Sequence, residues 1–222
     1  MIDLGYLVQA ITEIIPFIPV TLLISVSAMF FAIILGIIMA LLRRQNNKII
    51  ASLAGLYVSL FRGFPTVVQL FIVYFGLPQI FPAFNSLSAM YAVIITFSFK
   101  ESSYLTEIFR AGLDSVDQGQ IEAGLAIGMK KWKIYQEVVF PQAIVNALPG
   151  TTNTFVSLVK ESSLAFTLGI TELFAEGKLI ASSNLRYFET YLAVGLIYWF
   201  MIIIIGRLEN LVEKRMSKAY QR

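Results

Sequence analysis

Cysteine and histidine are both absent from the 222 residues. Without cysteine there are no disulfides and no thiolate metal sites, and the redox compartment stays open. Without histidine there is no imidazole catalysis, no histidine-ligated zinc and no histidine-ligated haem. Charge is scarce as well. Asp, Glu, Lys and Arg make up 14% of the chain, where a soluble domain carries roughly a quarter. Apolar residues reach 57% and mean hydropathy is +0.75, so lipid is the solvent this composition suits. A phosphate-binding G-x-x-x-x-G-K-[ST] loop is missing: Gly177-Lys178 is followed by Leu179 and has no matching upstream glycine. H-E-x-x-H and G-x-S-x-G are missing too, which argues against an intramembrane hydrolase as the first gap argues against a self-contained ATPase. The residues before the first apolar run carry Asp3 and Glu13 but no Lys or Arg. That run is expected to be a retained span, because a signal peptide needs a basic start.

About 20 apolar residues are needed to cross the hydrocarbon core. Five stretches qualify, at about 20–42, 65–81, 88–109, 149–170 and 187–206, giving one all-α domain over 1–222. In the second, Pro65 is expected in the first helical turn, with Ile49 to Leu60 lying partly in the interface. Twelve basic residues follow spans one, three and five, among them Arg43, Arg44, Arg110, Lys130, Arg207 and Lys214. Lys178 and Arg186 alone lie on the other side. The excess predicts an N-terminus outside and a C-terminus in the cytoplasm.

The loop between spans three and four is too long for a plain connector. Within 117–135, the stretch Ile121 to Met129 predicts a short helix closed by Gly128 or by the lysines beyond it. Ile121, Leu125 and Ile127 or Gly128 share one face, and Glu122 projects from another. Such a helix either docks into a groove on a partner or caps the bundle as an interfacial amphipathic helix.

Charges at mid-bilayer are costly and mark pathways. At 1.5 Å per residue, Lys100 lies about 18 Å into span three and Lys160 about 17 Å into span four. The spans run in opposite directions, so Lys100-Glu101 and Lys160-Glu161 meet near one depth. Ser98, Asn153, Thr154 and Ser157 make that level polar. Neighbours in sequence do not face each other on a helix, so each charge is expected to need a partner from another helix or a ligand. An amino acid is a matching cargo, its carboxylate seeking a cation and its ammonium a carboxylate. The alternative is a structural cross-pair such as Lys100 with Glu161. Arg62 is read as an interfacial, lipid-facing arginine, with a role in a gate as the alternative.

Glu122-Ala123-Gly124, Gly128 and Val138-x-Phe140-Pro141 resemble the "EAA…G…I-L-P" signature of ABC importer permeases. Gly124 stands for the second Ala, and Val138 and Phe140 for Ile and Leu. Phe61 to Leu70, Tyr74 to Pro78, Tyr104 to Arg110, Pro141-Gln142-Ala143 and Lys160 to Leu164 resemble the polar amino-acid branch of that family. The resemblance runs from about Ser59 to Phe174. Lys160-Glu161 fits the family motif, while Lys100-Glu101 departs from it. The resemblance implies a type I importer permease fold with five spans and a coupling helix around Glu122 to Gly128. Gly124 and Gly128 would allow close backbone approach, and Pro141 would fix the turn into span four. It implies as partners a cytoplasmic ATPase dimer, a second permease copy or a homologue, and an extracytoplasmic binding protein. ATP and Mg would be bound by the ATPase and no cofactor by this chain. Amino-acid cargo and membrane lipid complete the expected contacts, with no nucleic acid. A secondary transporter or channel using the midplane carboxylates is the alternative reading.

Overall fold

Helix starts in this chain are marked by side chains that accept from free backbone N–H groups. Asp3, Asn47, Ser88, Asp117 and Glu172 each do so. In a computed structural model, which describes residues 3–217, these caps open α1 (Leu4–Ile14), α3 (Lys48–Gly63), α6 (Ala89–Asp114), α7 (Gln118–Ala126) and α10 (Leu173–Asn184). The other helices are α2 (Ile18–Arg43), α4 (Thr66–Phe71), α5 (Leu77–Ile80), α8 (Lys131–Ile134), α9 (Phe140–Glu161) and α11 (Tyr187–Ser217). No strand occurs among the described residues. Of the basic tail, Lys218 and Arg222 lie outside them.

The first span is longer than the apolar count suggests. One helical run extends from Leu4 to Arg43, passing through a 3₁₀ turn at Ile15–Phe17 that contains Pro16. Its first limb, α1, buries Ala10 and Ile14 against Val194 and Ile197 of α11. Asp3 caps α1 and pairs with Arg186 at 2.7 Å, tying the start of the chain to the start of α11. The guanidinium and the Tyr6 N–H hold the Asp3 carboxyl below the usual carboxylate range.

The second span is broken. Phe64 is extended ahead of Pro65, as residues before proline tend to be, and α3 and α4–α5 meet at 106°. Pro65 stands at the cap position, one residue ahead of the helix it was expected to begin. The expected range 65–81 is therefore only the second limb, and Lys48–Gly63 forms the first as a full helix. The Gln69 amide donates to the Phe61 and Phe64 carbonyls, both at 2.9 Å, and so satisfies groups freed at the break.

α2 and α6 form the central pair and run parallel, and α9 closes on α6 in the antiparallel sense. Their shared core contains Ile24, Ala28, Val93, Phe97, Leu105 and Leu158. Small residues set the spacing: a Cβ on Gly112 would stand 2.8 Å from the Ala143 carbonyl oxygen. At one end of the pair Arg43 holds Glu107 at 2.5 Å, Arg44 holds Asp114, and Arg110 bridges both carboxylates. That is the basic end of the molecule.

Two helical runs, Leu4–Arg43 and Tyr187–Met216, are long and apolar enough to cross a membrane, three if the bent pair counts as one. α6 and α9 are long enough but too polar to qualify. They hold the site.

Glu172 caps α10 from a fully buried position. Its carboxylate accepts from the Phe174 and Ala175 N–H groups at 3.0 and 2.8 Å, from Tyr198 at 3.1 Å and from Thr21 at 3.3 Å. Glu172→Ala is expected to lower stability by about 3 kcal/mol, because it removes a cap and leaves buried donors unpaired. Thermal unfolding in detergent measures this, with Thr21→Val predicted to cost less. An unchanged midpoint for Glu172→Ala would overturn the assignment.

Candidate functional site

An α-helix brings residues three and four apart onto one stripe. On α6 the stripe Lys100, Tyr104 and Ile108 faces Gly150, Asn153, Ser157 and Glu161 of α9 across an open cavity of about 420 Å³. Glu101 and Thr154 complete its wall. The antiparallel depth argument placed Lys100 and Glu161 together, and their side chains touch: Lys100 Nζ donates to Glu161 Oε2 at 2.5 Å. The same ammonium donates to Glu101 Oε1 at 2.8 Å. This corrects the expectation that neighbours on one helix need separate partners. The Cβ atoms diverge, but the four-carbon lysine stem bends its tip back to the adjacent carboxylate.

Lys100 and Glu101 are buried, with side chains 8% and 3% exposed, whereas Glu161 is 32% exposed to the cavity. The Thr66 hydroxyl donates to Glu161 at 3.5 Å, so the break in span two lies at this level. Asn153 and Ser157 are exposed into the cavity, and buried Thr154 donates to the Gly150 carbonyl. Two candidates stand apart. Ser98 is buried outside the cavity and donates to the Ile94 carbonyl at 2.6 Å. Lys160 is exposed but does not line the cavity.

Tyr104 was not among the candidates, although its place four residues after Lys100 puts it on the same stripe. Lys100 Nζ lies 5.3 Å from its ring centre and the Arg62 guanidinium carbon 5.1 Å. Arg62 thus rests on α6 while remaining exposed.

The segment at the basic end is built as a bracket. Asp117 caps α7 through the Gly119 N–H. Gly128 closes it in the left-handed conformation, φ 82°, with the Met129 N–H bonded back to Gly124. A Cβ on Gly128 would meet nothing within 4 Å in this chain, so within the chain its glycine serves the backbone conformation. Gly124 does give close approach: an added Cβ would lie 2.9 Å from Ile134 of α8. Glu122, Ala123, Leu125 and Ile127 stay exposed, the last at 79%.

Pro141 is not at the turn either. The turn is at Gly128, and from Lys131 the chain runs helically to Glu161 through α8, a π turn at Tyr135–Val139 and α9. The widened π turn accommodates the missing N–H and the ring of Pro141 in the first turn of α9. Pro149, taken as the start of span four, lies inside α9.

Residues 32–218 match the family described as "Binding-protein-dependent transport system inner membrane component". The chain belongs to this family. It is 51% identical to the probable amino-acid permease protein YxeN of Bacillus subtilis, over 99% of this chain and 98% of that one. To the probable amino-acid ABC transporter permease protein PatM of Vibrio harveyi it is 37% identical, over 99% of each. A crystal structure of an amino acid ABC transporter with histidines superposes with a TM-score of 0.86 at 32% identity, over 97% of this chain and 99% of that one. The MetNI methionine ABC transporter shares the fold, with a TM-score of 0.74 at 19% identity over 88% and 92%.

The permease therefore has the type I importer fold and is a membrane-embedded transport subunit, not an enzyme. ATP hydrolysis falls to a partner ATPase, and the family also supplies a substrate-binding protein and a second permease.

The buried ammonium generates a stability prediction. Lys100→Met strands Glu101 without its cation and is expected to cost about 3 kcal/mol or more. Lys100→Met/Glu101→Gln is expected to regain a large part. Melting of the purified permease measures both, and a single variant as stable as the parent would refute the pairing.

Proposed function

We propose that the permease imports an amino acid by alternating access, binding it at the α6–α9 cavity and taking its drive at α7. One observation carries this reading. The chain from Lys131 to Glu161 is a single helical rod, 31 residues and about 45 Å long, with α7 bracketed to one end and the cavity at the other. Displacement of α7 by a partner moves the Glu161 wall of the cavity relative to α6.

The charge balance supports an amino-acid cargo. Lys100 is neutralised by two carboxylates, which leaves the cavity one net negative charge to meet the cargo's ammonium. Asn153 and Ser157 supply neutral hydrogen-bonding groups beside it. The relatives bear amino-acid permease names, and TcyL of Bacillus subtilis, 33% identical over 99% of this chain and 94% of that one, is named for L-cystine.

The basic end faces the cytoplasm in this reading and the N-terminus lies outside. Arg43, Arg44, Arg110 and the lysines beside α7 support that placement, because basic residues collect on the cytoplasmic side. Glu122, Ala123, Leu125 and Ile127 seat in a cleft of an ATPase dimer that binds ATP and Mg. A second copy of the permease completes the pathway, and a binding protein delivers cargo at the outer face. ATP-driven closure of the ATPase dimer then rocks the two rods and exchanges access between the faces.

Uptake by vesicles containing the permease, its ATPase and the binding protein tests the proposal. Uptake is expected to require ATP; uptake that follows an ion gradient and ignores ATP favours the secondary-transporter reading instead. Glu161→Gln is expected to raise KM about tenfold through loss of one charge-assisted contact. Glu122→Lys is expected to lower kcat with little change in KM. An unaltered affinity and selectivity in Glu161→Gln, with normal assembly, would remove the cavity from the proposal.

A further inference from the structure

A second cavity lies on the basic side of Tyr104. It holds about 490 Å³ between α2, α3 and α6, and Arg43, Ser59, Arg62, Tyr104 and Glu107 face it. Tyr104 is common to both cavities, so its ring is the partition between them. Lys100, Tyr104 and Glu107 continue one stripe of α6 from the first cavity into the second, an advance of about 10 Å.

The two cavities differ in sign. In the first, one ammonium meets two carboxylates. In the second, Glu107 is engaged by Arg43 and Arg110, while Arg62 makes no ion pair among the described residues. Its guanidinium rests on the Tyr104 ring, and its N–H donors make no side-chain hydrogen bond among the described residues. Ser59 and Arg62 are both exposed to the cleft. A guanidinium presents a planar fork of donors that matches a carboxylate.

We infer that Arg62 and Ser59, with Tyr104 as the dividing wall, form a second binding station that takes the α-carboxylate of the amino acid after it leaves the Lys100–Glu161 cavity. The inference rests on the proposed cargo and adds where the cargo pauses. The first cavity engages the ammonium and the second the carboxylate. Cargo therefore turns end for end past a ring whose two sides each carry a cation, and no single site has to bind both groups tightly. Retention in the second cavity is weaker by design of its charge: Arg62, unpaired among the described residues and open to the basic end, releases a carboxylate that has no further partner there.

Because the chain has no cysteine, a single introduced one reports occupancy directly. Ser59→Cys and Asn153→Cys are made separately in the assembled importer with its ATPase, without nucleotide. Alkylation of this chain's thiol is timed with L-arginine, L-glutamine, L-glutamate or L-cystine present, and with the α-amide of whichever protects. At ten times its Kd a ligand leaves about one site in ten free, so labelling of both variants is expected to slow by about tenfold. The amide is expected to protect Asn153→Cys and not Ser59→Cys. Adding Arg62→Gln is expected to abolish protection at Ser59→Cys alone.

Protection at Asn153→Cys but not Ser59→Cys overturns the second station and leaves the cargo reading standing. Protection at neither overturns both. Protection of Ser59→Cys by the amide, or its persistence with Arg62→Gln, overturns carboxylate recognition. Protection of Ser59→Cys by phosphatidylglycerol vesicles without amino acid assigns Arg62 to lipid phosphate and overturns the station as well.

Discussion

Everything near the site is arranged around one buried ammonium. Lys100 sits in a low-dielectric wall with Glu101 at 2.8 Å and Glu161 at 2.5 Å. Removing a lysine from water is costly unless its charge is met at close range and its N–H groups are used. Two carboxylates do more than meet it. They overcompensate, so this wall keeps a net negative charge facing the cavity, the charge that the ammonium of the proposed cargo would meet. The same contacts fix the separation of α6 and α9 at this depth, because Glu101 belongs to one helix and Glu161 to the other. Under the proposed reading binding and packing would share atoms, and a ligand that draws on Glu161 would loosen the α6–α9 contact.

Proline decides which of these helices continues and which one turns. Pro141 and Pro149 both fall within the Phe140–Glu161 helix, and Pro65 stands at the break of the second span. In α9 the backbone absorbs the first through a π turn and the rod persists. At Phe64–Pro65 it does not, and the chain bends through 106°. The difference follows from the neighbours. Tyr135–Val139 can widen without leaving the helix, whereas Phe64 becomes extended and Gln69 takes up the freed carbonyls. Two prolines thus lie in the helix that ends at Glu161 and a third marks a corner, beside which Thr66 reaches the same carboxylate.

Depth arithmetic on two antiparallel spans was enough to bring Lys100 to Glu161, because it needs only helix rise and direction. The Lys100–Glu101 contact was not legible, since the rule that adjacent residues diverge concerns Cβ directions and not the tip of a flexible stem. Gly128 was legible as a helix stop but not as a left-handed residue, because a short helix followed by lysines offers two endings. Pro141 read as a turn because a π turn has no sequence mark of its own. α1 was hidden inside an apolar run whose start, around Pro16, looks like the edge of a span. Tyr104 was passed over because an aromatic in a membrane helix is unremarkable until Arg62 and Lys100 are seen on either side of it.

The cavity also says what one chain cannot do alone. Glu161 is partly exposed, and Asn153, Ser157 and Lys160 are exposed beside it at the middle of the structure. Such groups cannot face hydrocarbon: an unpaired charge there costs several kilocalories per mole by insertion measurements and more by simulation. Elsewhere α2 turns Leu23, Val26, Phe30, Ile34 and Ile37 outward, which is the surface that lipid or another apolar helix requires. The chain therefore has two kinds of outer surface, one suited to lipid and one that lipid would destabilise. The second must be covered by something polar. The family supplies a second permease, and a face carrying Glu161 and Lys160 against its counterpart would set opposite charges at equal depth on the two sides of one pathway. The open wall is thus a surface that calls for a polar cover, which a second permease would supply.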